Sequence, residues 1–140
     1  MDELIDFAKN AKDPIKATCI EAIEFATKSK PEIVTISCIA FVSKALKEKA
    51  PRVKWESAKV IGNVAHLNSD KLDKAIKNLV LNSEHTGTVV RWSAAYALAQ
   101  IIRIKTLQNK KLIPVIKSIY NREEKNSIKK IYADALKNAT

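Results

Sequence analysis

Thr88-Val89-Val90-Arg91-Trp92-Ser93-Ala94-Ala95-Tyr96-Ala97-Leu98-Ala99-Gln100-Ile101-Ile102 is the stretch whose reading decides the fold. Val90, Ala94, Ala97, Leu98 and Ile101 recur at i, i+4, i+7, i+8 and i+11, the spacing of one buried stripe along an α-helix. At about 100° per residue, Trp92, Tyr96, Ala99 and Arg103 fall on the opposite side of that helix. Two large aromatics therefore point away from the core that the helix builds.

The pattern is written three more times. Arg52-Val53-Lys54-Trp55-Glu56-Ser57-Ala58-Lys59-Val60-Ile61 repeats it with Trp55 in the place of Trp92 and Ile61 in the place of Leu98. Pro14-Ile15-Lys16-Ala17-Thr18-Cys19-Ile20 precedes it, and Ile128-Lys129-Lys130-Ile131-Tyr132-Ala133 follows. Lys16, Lys54, Arg91 and Lys129 are 38, 37 and 38 positions apart, and the pairs Ala22-Ile23, Val60-Ile61, Ala97-Leu98 and Ala135-Leu136 keep the same offsets. A period of that length is the signature of stacked helical hairpins.

Around this repeat, the composition allows little but helix. The chain has 140 residues, 46% of them hydrophobic, with only two Gly and four Pro to supply turns. One domain and no sheet are expected. Asp2, Glu3 and Asp6 stand where a secretory signal needs basic residues, and no segment has the apolar length of a membrane span. Cys19 and Cys38 lie in the apolar register of their helices and out of metal-ligand spacing, so they read as free thiols in a reducing cytosol. A cytoplasmic protein without cofactor or metal is the expectation.

Pattern breaks divide the chain into eight helices. The first covers 2–10; the second opens at Asp13-Pro14, with Asp13 as the capping carboxylate, and runs to Ser29. Lys30-Pro31-Glu32 restarts the pattern for a third helix down to Glu48, and Pro51 opens a fourth that ends at His66. The fifth spans 71–81, Asn82 to Gly87 forms a loop, and the sixth is the stretch quoted above, ending near Ile104. Asn109 caps the seventh, and the eighth covers 127–138. Paired in order, these are four antiparallel hairpins, with approximate repeats 1–30, 31–68, 69–105 and 106–140. The fold class is an all-α, right-handed α-α solenoid in which the four related helices, each the second of its pair, form one continuous layer.

Asp13-Pro14-Ile15-Lys16, Pro51-Arg52-Val53-Lys54 and Thr88-Val89-Val90-Arg91, each leading into a small-residue helix that ends in an aliphatic pair, resemble the second helix of HEAT repeats. In that family a turn Asp and a Val-Arg pair recur in every unit. Here the Arg is Lys in three units of four, and only Asp13 keeps the turn acid. The resemblance implies that second helices line a concave ligand surface. The residues then facing the groove are Ala17, Glu21, Glu24 and Lys28; Trp55, Lys59, Gly62 and His66; Trp92, Tyr96, Ala99 and Arg103; and Lys130 and Asp134. Trp55 and Trp92 are expected side by side, since packed helices lie about 8–10 Å apart.

Charge adds a partner class. The net charge is +10, yet residues 1–50 hold eight Lys against eight acids, so the whole excess lies in the last ninety residues. Trp and Arg are the residue types that most often anchor interfaces. The expected site is therefore Trp55, Lys59, Arg91, Trp92, Tyr96, Arg103 and Lys130, in a monomeric, non-catalytic module that binds a protein or peptide, acidic by complementarity. The alternative is nucleic acid, with phosphates on the cations and an unpaired base stacked on an indole. DNA glycosylases of the alkylation-repair type are HEAT-like and use concave Trp, Asp and Arg, although no motif of theirs matches residue by residue. His66 and His85 have no partner at a spacing that implies a triad or metal site, so catalysis is not expected.

Overall fold

The computed structural model describes residues 1–139. They form eight α-helices and no strand: α1 (Asp2–Lys9), α2 (Asp13–Ser29), α3 (Ile36–Ala45), α4 (Pro51–Val64), α5 (Asp73–Asn82), α6 (Thr88–Arg103), α7 (Asn109–Arg122) and α8 (Asn126–Ala139).

Five helix starts differ from expectation: α5 opens at Asp73 instead of 71 and α8 at Asn126 instead of 127, and the other three are α2, α3 and α7. α2 begins one residue early: Lys12 is its N-cap, and Asp13 makes no capping hydrogen bond but adds a negative charge to the first turn. Pro31–Ile33 forms only a single 3-10 turn, and α3 starts at Ile36, where Thr35 Oγ1 accepts the Cys38 N–H at 3.1 Å. Gln108, not Asn109, is the N-cap of α7. The Asn109 amide reaches back instead and donates to the Ile102 carbonyl at 2.8 Å, closing the end of α6.

α2, α4, α6 and α8 pack side by side in that order as one layer. α6 shows what this does to a helix. Flanked by α4 and α8 and covered by α5, it buries Val90, Ser93, Ala94, Ala95, Ala97, Leu98, Ala99, Ile101 and Ile102. Small residues let the backbones approach, and Ile61, Leu98, Ile101 and Ile116 fill the space beneath them. Cys19 and Cys38 are buried in the same core, and burial lifts the Cys38 thiol to about 11 with a further push from Asp2. On the other layer α1 packs on α3 and α3 on α5, whereas α5 and α7 draw apart.

The basic residues of the first three units have a structural task. Lys16 Nζ on α2 meets Glu48, in the turn after α3, at 3.0 Å. Lys54 Nζ on α4 donates to Asn82 Oδ1 at the end of α5 at 3.2 Å, and to the Leu46 carbonyl at 3.1 Å. Arg91 on α6 clamps Glu123, the C-cap of α7, with its Nε 3.0 Å from Oε1. Three times, the cation of one hairpin ties to the C-terminal end of the first helix of the next, where a positive charge also offsets the helix dipole.

Candidate functional site

Because α4 and α6 are flanked on both sides, their outward surface narrows to a strip. Gly62 and Ala99, expected in the groove, are buried for that reason, and Ala17, on the end helix α2, is buried as well. On α6 the strip keeps Trp92, Tyr96 and Arg103, on α4 Trp55 and Lys59, on α2 Glu21, Glu24 and Lys28, and on α8 Lys130 and Asp134, while His66, expected at the end of α4, lies in the 3-10 turn Ala65–Leu67 that follows it.

The centre of the strip is a stack within α6. The Trp92 and Tyr96 rings lie 6.0 Å apart at an interplanar angle of 6°. The i, i+4 spacing brings them together on one face, so the ring pair forms along the helix and not between Trp55 and Trp92 of neighbouring helices. Trp92 is 40% exposed, Tyr96 and Trp55 half-buried.

Tyr96 is held from the neighbouring helix. Its hydroxyl donates to Asn63 Oδ1 at 2.7 Å. Asn63 Nδ2 in turn donates to the Glu24 carbonyl and to Thr27 Oγ1 on α2, at 3.1 and 3.2 Å. The Glu24 carboxylate takes Lys59 Nζ at 3.1 Å, and the same ammonium reaches Glu56 Oε1 at 3.2 Å. One polar chain thus crosses α2, α4 and α6 beneath the aromatic stack. Burial lifts the Tyr96 hydroxyl above its ordinary range, aided by the Glu24 charge. Burial also raises the Glu56 carboxyl against the pull of Lys59. The Lys59 ammonium is disfavoured by burial, yet its bonds to Glu24 and Glu56 hold it above the usual lysine value.

Two of the four expected cations are committed inside the fold. Lys59 is shared between Glu24 and Glu56, and Arg91 belongs to the tie with Glu123, where it also donates to the His85 and Thr86 carbonyls. Arg103 and Lys130 are exposed and, among the described residues, carry no ion pair. His66 is exposed, and His85 accepts the Gly87 N–H on Nδ1 at 2.8 Å. No group of three or more His, Cys, Asp or Glu suited to a metal occurs among the described residues, and no described helix is long and apolar enough to cross a membrane.

Phe25 is the site residue that the repeat reading missed. It is 77% exposed on α2, beside Thr18, Glu21, Glu24 and Lys59 around a shallow depression. The signal was present: Phe25 lies i+4 from Glu21, off the Ile20, Ile23 and Thr27 stripe.

No family model and no curated protein matches the chain. Solved structures do. A designed armadillo repeat protein, YIII(Dq)4CqI, superposes with a TM-score of 0.80 at 18% identity over 98% of this chain. The designed armadillo repeat protein YIII(Dq.V1)4CPAF in complex with the peptide (KR)4 matches equally, at 0.80 and 18%. This chain spans 63% of the length of either. A chain of the complex of CpcE and CpcF of phycocyanin lyase from Nostoc sp. PCC7120 matches at 0.63 and 15%, over 96% of both chains. The fold is therefore an α-solenoid of the armadillo and HEAT type.

Proposed function

We propose that this chain is a monomeric, cytoplasmic, non-catalytic binding module that takes an acidic protein or peptide segment on its second-helix layer. The observation that carries the reading is the exposed Trp92–Tyr96 stack, fixed from below by Asn63. A preorganised aromatic platform loses little freedom on binding. Trp55 and Phe25 extend the apolar strip across α4 and α2. Arg103, on the same face of α6 as Trp92, and Lys130, at the α8 position equivalent to Trp92, supply unneutralised charge for carboxylates. The peptide (KR)4 bound by the designed armadillo protein is basic, so a shared fold does not imply a shared ligand charge.

The test titrates a labelled peptide of alternating Glu and Leu against the protein and reads tryptophan emission. The reading expects a shift in emission that Trp92→Ala removes and that Arg103→Glu with Lys130→Glu weakens about tenfold. A response confined to a single-stranded oligonucleotide, and lost as salt rises, would replace it with the nucleic-acid reading.

A further inference from the structure

The opening between α5 and α7 is apolar. It is a groove of about 470 Å³ walled by Ile76, Val80, Leu81, Leu112 and Val115, with Lys77, Lys111 and Asp73 at its edges. Leu81 and Val115 remain 52% and 38% exposed there. Elsewhere on this layer adjacent first helices pack against one another, and the depressions along them are lined mainly by lysines and Glu48.

We propose that this groove docks the apolar face of an acidic amphipathic helix from a partner protein. The proposal is independent of the second-helix layer, which lies on other residues.

Charge identifies the partner. α5 and α7 together carry Lys74, Lys77, Lys110, Lys111, Lys117 and Arg122 against one acid, Asp73. None of the five lysines has a carboxylate within ion-pair distance among the described residues. An apolar floor between unpaired lysines fits an apolar stripe flanked by Asp and Glu. Backbone chemistry identifies the conformation. Both walls are helices, whose peptide groups lie along their own axes, so an incoming strand would find no edge to pair with, whereas a helix brings its own hydrogen bonds. A stripe of side chains at i, i+3, i+4 and i+7 would lie along the seam. Electrostatics also argues against a second copy of this chain. In a two-fold contact the same patch faces itself, and here that places lysines against lysines.

The experiment uses the full chain and a fluorescein-labelled synthetic helix of about 20 residues, with a Leu stripe and Glu on its other faces. Anisotropy measures affinity, and amide chemical shifts locate the contact. The expected result is saturable binding with shifts on α5 and α7, weakened about tenfold by Lys77→Glu with Lys111→Glu. A peptide with Lys in place of Glu should instead prefer that charge-reversed variant. Leu81→Ser tests the floor, and because Lys77 and Lys111 are exposed and unpaired, their variants keep the test informative even if Leu81→Ser fails to fold. Unchanged affinity on charge reversal, shifts on α2, α4 and α6, or absence of binding at millimolar peptide would each overturn the proposal. So would a concentration-dependent dimer that the charge reversal strengthens, which would make a second copy the occupant.

Discussion

The Tyr96 ring of α6 lies directly on the backbone of Gly62 in α4: a Cβ at residue 62 would overlap Cε2 of the ring. Gly62 is therefore a seat and not a groove residue. Alanine there gains about 1 kcal/mol of helix propensity, but the overlap displaces the ring, breaks its bond to Asn63 and unstacks Trp92, at a cost of about 1–3 kcal/mol. Gly62→Ala should lower the melting temperature and diminish the near-ultraviolet circular dichroism of the aromatic pair. A raised melting temperature would mean that the ring is free to move.

Lys59 is bonded to both Glu24 and Glu56, and the Glu56 side chain is only 3% exposed. Lys59→Met would strand a buried carboxylate; with Lys59 itself 30% exposed, solvent tempers the loss to about 2 kcal/mol. Adding Glu56→Gln should restore most of it, since burial already disfavours the charged form of Glu56. Chemical denaturation of both variants decides the matter, and equal stability of the two would show that Glu56 is not the group being compensated.

Burial alone would raise the Glu123 carboxyl, yet the Lys125 N–H and the Arg91 guanidinium overcome it and hold the group below the ordinary range near 4.5. A depressed carboxyl stabilises the fold fully at neutral pH and loses that contribution as pH falls below the unfolded value. Glu123→Gln should therefore be less stable than the parent at pH 7, and the gap should close toward pH 3. Thermal melts across that range provide the check; a gap that persists at pH 3 would place the loss in packing instead.

Trp92→Ala separates binding from folding. Forty per cent of the residue is already exposed, and the lost stack is worth about 1 kcal/mol. The variant should keep its fold while losing affinity for the acidic peptide. A collapse of the melting temperature would assign Trp92 to the core and remove the centre of the proposed site.

The architecture was legible because it rests on period. Cations spaced by 38, 37 and 38 residues and a repeated apolar stripe are local signals, and the four inner helices follow from them. What the repeat could not convey was how far each helix is enclosed. Opposite the stripe, Ala17, Gly62 and Ala99 look like surface, and only the stacking of neighbouring helices reveals that small residues there permit close approach. Arg91 misled for a related reason: its partner Glu123 is 32 residues away in the next hairpin, and no spacing rule connects them. Phe25 was readable in principle, as a large aromatic off its own stripe, but the repeat register places Ala17 at the position of Trp55 and Trp92 and so does not point to it.

The three ties between hairpins are equivalent in place but not in chemistry. One is Lys16 with Glu48, the next Lys54 with Asn82, the last Arg91 with Glu123. Each joint therefore carries its own key. Exchanging two hairpins would set a lysine built for an amide against a carboxylate, or a forked guanidinium against a single carbonyl. Joints that differ in this way favour one order of hairpins along the stack over a shuffled one.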